Sequence, residues 1–95
     1  MTLTEQLETQ FPAPQSPWRM ITGEMVRAAR ALLGISTAEL SRRAGVSLRT
    51  MYTVETSIGP PPVTIRTMQR IVSALEASGI EFQQNATGVG IRLRR

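Results

Sequence analysis

The most confining stretch of this sequence lies between Ser36 and Glu55, which allows two helices of about two turns each and almost nothing between them. Ser36, Thr37, Ala38 and Glu39 read S-x-x-E, in which a serine hydroxyl caps the first turn and a glutamate three residues on reaches back. Leu40 and Ala44 then fall one turn apart on an inner face, and Gly45 suits the left-handed residue that ends a helix. Val46 follows as an apolar plug. Ser47 is placed to cap a second helix, read as 48–55, with Met51 and Val54 at i and i+3 on its inner face. Leu48, Arg49, Tyr52 and Thr53 fall on its outer face. Helices this short are marginal alone in water, so neighbouring elements must hold them.

Those neighbours can be read on both sides. A helix starts after Thr22 and stops before Gly34, with Glu24 in its first turn. Val26, Ala29, Arg30 and Leu33 recur on one face, so Arg30 sits on an otherwise apolar stripe and needs a partner. After Glu55 comes a stiff loop, Ile58, Gly59, Pro60, Pro61, Pro62. Thr64 caps a fourth helix with Ile65, Met68, Ile71, Val72 and Leu75 on one face, and Gly79 stops it. Ile80 and Phe82, then Val89, Ile91 and Leu93, alternate with polar or small residues about Asn85, Ala86, Thr87 and Gly88, which predicts a hairpin. Residues 1–17, with Pro12, Pro14 and Pro17 and only Glu5 and Glu8 as charges, read as a mobile arm whose end Trp18 anchors. The expected organisation is an arm at 1–20, a helical domain at 21–79 and a hairpin at 80–95.

Composition narrows the function classes. At 95 residues there is room for one domain with a small core. The chain has no Cys, His, Asp or Lys, which removes disulfides, the usual metal ligands, the usual general base and every Ser-His or Ser-Lys nucleophile. Tyr52 as a strand-transfer nucleophile would need a catalytic domain that this length cannot hold. Gly88 and Gly90 form a lone G-x-G with no following Lys, so no phosphate loop is supported. The expectation is a non-enzyme with no cofactor and no metal. No stretch approaches a membrane span and no secretory signal is evident, so a cytoplasmic protein is expected. All eleven basic residues are Arg, all seven acidic ones Glu, and the net charge is +4. Such a basic domain suits a polyanion, although a merely solvated basic surface has the same composition.

Two short helices joined by a glycine-centred turn make a helix-turn-helix. Residues 33–47, LGISTAELSRRAGVS, closely resemble the XRE family, the class of the phage lambda repressor and Cro. The family spacing of leucine, small residue, glycine and Val-Ser is met by Leu40, Ser41, Gly45, Val46 and Ser47, and its apolar pair in the second helix by Met51 and Val54. The resemblance covers about residues 21–79. Thr37 stands where the family often has a glutamine that contacts phosphate, Leu48 stands where many members place a polar base reader, and the hairpin lies outside the minimal family domain. The resemblance implies a mostly α fold, a lambda-repressor-like bundle of four to five short helices, here with a C-terminal β-hairpin added.

It also implies roles. Ser47, Leu48, Arg49 and Thr53 match the positions from which family members read bases in the major groove. Arg49 can bond bidentately to guanine, Leu48 can pack on a thymine methyl, and Ser47 and Thr53 can bond base or phosphate. Leu48 can equally just cover the helix N-terminus, and Arg49 can be an idle solvated side chain. Thr37, Tyr52 and Arg66 are expected to contact phosphate; Arg66 is disfavoured by the helix dipole at its position, which makes an anionic partner attractive. Arg42 and Arg43 either grip phosphate or complement the C-terminal dipole of their own helix. Helix N-termini capped by Ser36 and Thr64 can donate N–H groups to phosphates. Arg30 and Glu55 match a family ion pair between the first and third helices.

The implied function is a sequence-specific DNA-binding transcriptional regulator, a dimeric repressor on an inverted repeat. It could serve as a stand-alone repressor, a mobile-element switch or an antitoxin. The partners expected are double-stranded DNA, a second copy of the chain and, through the arm, a toxin or regulator protein. The alternative is a protein-interaction module that sequesters a partner. The hairpin's apolar residues need a surface, either helices 1 and 4 of the same chain or the edge of a second copy. An unpaired strand edge is a template for pairing, so the second is taken as the expectation. Deleting 80–95 would then leave a folded monomer.

Overall fold

The computed structural model describes residues 21–94. The arm and Trp18 lie outside the described residues. Four helices and a hairpin follow in order: α1 Gly23–Leu33, α2 Thr37–Ala44, α3 Leu48–Glu55, α4 Ile65–Ala77, β1 Ile80–Asn85 and β2 Gly88–Leu93. Each helix begins on a hydroxyl cap. The side chains of Thr22, Ser36, Ser47 and Thr64 accept from the backbone N–H three residues ahead. Gly45 ends α2 in the left-handed region at φ 69°, and its N–H and that of Val46 satisfy carbonyls of the last turn. A Cβ there would meet nothing, so what requires glycine is backbone conformation, not space.

The core is a single cluster. Val26 and Ala29 of α1, Leu40 and Ala44 of α2, Met51 and Val54 of α3, and Met68, Ile71, Val72 and Leu75 of α4 are buried together with Ile21 and Ile80. α2 packs on both α3 and α4, and α1 on α3. A fully buried aliphatic side chain contributes about 1.5–3 kcal/mol, so this set gives two-turn helices the tertiary support they lack alone. Ile65 departs from the expected stripe: it is the first residue of α4 and is exposed.

The hairpin is antiparallel, with Ile80 opposite Leu93, Phe82 opposite Ile91 and Gln84 opposite Val89. Its apolar face is covered by the same chain: β2 lies on α1, β1 on α4, Ile80 is fully buried, and Phe82, Ile91 and Leu93 pack against the core. This corrects the expectation that a second copy supplies the cover. Deleting 80–95 would take Ile80 out of the core along with the strands, so a cost in stability is expected as well as the loss of the hairpin. On the outer face Glu81 receives Arg92 at 2.5 Å and Arg94 at 3.5 Å. Among the described residues no helix is long and apolar enough to cross a membrane.

The loop between α3 and α4 is tied to the start of α1. Gly23 N donates to Gly59 O at 3.0 Å, and Gly59 N donates to the Glu24 carboxylate at 2.8 Å. That backbone N–H holds the Glu24 carboxyl below its ordinary pKa. A carboxyl whose pKa is lower folded than unfolded favours folding above its unfolded value, and the contribution fades as pH falls through the folded one. The stability advantage of the wild type over Glu24→Gln is therefore expected to shrink between about pH 6 and about pH 3. Parallel thermal melts of the two proteins check this; a constant difference across that range would remove the carboxylate from the loop clamp.

Candidate nucleic-acid interface

α3 is two-faced because its eight residues place every third or fourth side chain inward. Met51, Val54 and Glu55 are buried, whereas Ser47, Leu48, Arg49, Tyr52 and Thr53 are all exposed. The structure thus gathers the proposed base readers and Tyr52 on one outward surface. Among the described residues Arg49 makes no ion pair, so its guanidinium is available to an external acceptor. The hydroxyls are less free. Ser47 Oγ accepts from Thr50 N at 3.1 Å and donates to Thr50 Oγ1 at 2.8 Å. Thr53 Oγ1 donates to the Arg49 carbonyl at 3.2 Å. Leu48 is 40% exposed at the first position of the helix, so much of its apolar surface faces water.

Glu55 fastens this helix from behind. Its carboxylate receives Arg30 Nε at 2.9 and 3.0 Å, and its backbone carbonyl receives Arg27 Nη1 at 3.0 Å. Arg30 Nη1 continues to the Ile35 carbonyl at 3.0 Å, so one arginine joins α1, the α1–α2 turn and α3. This is the partner that a charge on the α1 stripe required. Thr37 Oγ1 also donates to Glu55, at 3.4 Å. Its hydroxyl therefore turns inward, and the group this position leaves free for an outside acceptor is the backbone N–H at the start of α2.

The other cations divide. Arg42 and Arg43 both bond to Glu39, Arg43 at 2.9 Å, and this holds the Glu39 carboxyl below its ordinary pKa, with the Arg43 bond as the largest cause. The Glu39 carboxylate is thus taken up by the last turn of α2 and does not reach back as the S-x-x-E pattern predicts, so Ser36 Oγ caps alone, accepting from Glu39 N at 3.0 Å. Arg66 is exposed and, among the described residues, has no acidic partner.

Three residues were assigned no role from the sequence. Arg27 carried a signal, lying one turn before Arg30. Arg70 also carried one, four residues after Arg66; it reaches from α4 to the Gly45 carbonyl at 3.4 Å. Ile58, 91% exposed at the loop tip, carried none, because a loop's facing depends on what anchors it. No protein-family model matches the chain, and no curated protein matches it.

Proposed function

We propose that the chain is a cytoplasmic, sequence-specific DNA-binding transcriptional regulator of the XRE type, a repressor that places α3 in the major groove. The observation that carries this reading is the outward face of α3. Behind a glycine turn it presents Arg49, free of acidic partners among the described residues, flanked by Leu48, Tyr52 and Thr53. Arg49 reads guanine, Leu48 meets a thymine methyl, and Tyr52 and Arg66 reach phosphates beside the groove. One such helix covers too few base pairs to be selective, so a homodimer on an inverted repeat, its reading helices about 34–36 Å apart, completes the proposal. Stand-alone repressor, mobile-element switch and antitoxin share this biochemistry.

Selection of bound duplexes from a random pool tests the reading. A single enriched half-site supports it, and a pool that stays random removes it. On the selected site Arg49→Ala is expected to cost about 1–3 kcal/mol and to relax preference at one base pair. Arg42→Ala, where that side chain grips phosphate, weakens all sequences alike and lowers the salt slope by about one. An unchanged specific affinity for Arg49→Ala at fixed salt would show that α3 is not the reader.

A second reading is favoured by the exposed apolar surface of Leu48 and Tyr52, one turn apart on α3, which suits a protein partner better than a phosphate backbone. In that case the fold sequesters a protein. Retention of partner binding by Arg49→Ala, together with an unenriched DNA pool, would select it.

A further inference from the structure

α2 and α4 leave an open groove along their seam, and its chemistry is one-sided. Arg43 of α2 and Arg66 and Arg70 of α4 wall it, buried Ala44 and half-buried Ala74 lie beneath, Ser73 lies along it, and no lining residue is acidic. Arg66 and Arg70 stand four residues apart on one helix, where like charges repel. Arg66 also sits in the first turn, at the positive end of the dipole. The only glutamate of α4 is Glu76, near its far end, so nothing in that first turn offsets the two cations. Two of the guanidinium groups are already placed. Arg43 is held by Glu39 at 2.9 Å and Ser78 at 3.1 Å, and Arg70 lies across to the Gly45 carbonyl at 3.4 Å. Gly45 belongs to the turn that leads into α3, so Arg70 ties the groove to the base of the outward helix.

We propose that this groove is a phosphate-binding site in which Arg43, Arg66 and Arg70 together grip adjacent phosphates. Planar guanidinium forks suit phosphate oxygens, and an anion relieves the repulsion between Arg66 and Arg70. The natural ligand is the phosphodiester strand of DNA that passes the α2–α3 turn while α3 occupies the major groove. That choice of ligand rests on the DNA-binding reading, whereas the site's phosphate chemistry does not. Arg70 thereby becomes a backbone-contacting residue with no part in base choice.

The test uses the full chain, with Arg70→Ala, Arg70→Lys and the double variant Arg66→Ala/Arg70→Ala checked for unchanged thermal unfolding. Arg70→Ala is expected to weaken binding to the selected duplex and to an unrelated duplex by the same factor, roughly fivefold at about 0.15 M salt, and to lower the salt slope by about one. Base preference stays as it was, and Arg70→Lys recovers most of the loss. Selective DNA binding with slopes unchanged in both alanine variants overturns the groove and leaves the DNA reading standing. If the wild type binds no duplex, the DNA reading fails, and titration with inorganic pyrophosphate decides the groove. Amide resonance shifts at Gln69, Arg70 and Ser73 that vanish in Arg70→Ala keep it as a site for a free phosphate compound; absence of those shifts overturns it.

Discussion

Replacing Gly23 with alanine is expected to destabilise the domain by about 3 kcal/mol or more, enough to leave a chain of this size partly unfolded at ambient temperature. A Cβ at Gly23 would stand 2.1 Å from the Val54 carbonyl oxygen and 2.6 Å from that of Ser57. Both obstacles are backbone, so no side-chain rotation relieves them. α1 would have to withdraw from the end of α3, breaking the bond from Gly23 N to Gly59 O that ties down the loop. Gly45→Ala is the control. Its Cβ meets nothing, and the strain comes only from φ 69°, about 1–2 kcal/mol. Urea unfolding of both variants checks the order. A Gly23→Ala protein no less stable than Gly45→Ala would mean that α1 does not approach α3 so closely.

Removing one partner of the Arg30–Glu55 pair is expected to cost nearly as much, and unequally. The Glu55 side chain is 6% exposed and that of Arg30 21%. Arg30→Ala leaves a carboxylate stranded in the interior with only the 3.4 Å bond from Thr37, a loss of about 3 kcal/mol. Glu55→Ala leaves a long cation that can slide its head toward water, so about 2 kcal/mol is expected. A double-mutant cycle measures the coupling, which should exceed about 1 kcal/mol. Additive single effects would refute the pair as a clamp between α1 and α3. The same clamp bears on the proposed function. It fixes α3 from its inner side, so Arg30→Met should weaken selective DNA binding as well as stability, although Arg30 touches no base.

Much of this was legible in the chain itself. Helix limits followed from local chemistry, because a hydroxyl before a helix and a glycine after it act within one turn. Thr22, Ser36, Ser47 and Thr64, with Gly34 and Gly45, therefore marked their boundaries without knowledge of the rest. The two faces of α3 followed from helical period alone, and so did the problem posed by Arg30 on an apolar stripe.

Tertiary structure decided what depends on distance between segments remote in sequence. The inward turn of the Thr37 hydroxyl is set by Glu55, eighteen residues away. Gly23 reads locally as an unremarkable first helical residue, and only the approach of Val54 and Ser57 makes it irreplaceable. The hairpin's alternation predicted a covered face but could not say what covers it. Period two names the face, whereas the cover depends on where α1 and α4 leave apolar surface, and here they leave enough for Ile80, Phe82, Ile91 and Leu93. The groove of Arg43, Arg66 and Arg70 belongs to the same class. Its charges are plain in the sequence, but only the packing of α2 on α4 brings Arg43 beside the other two.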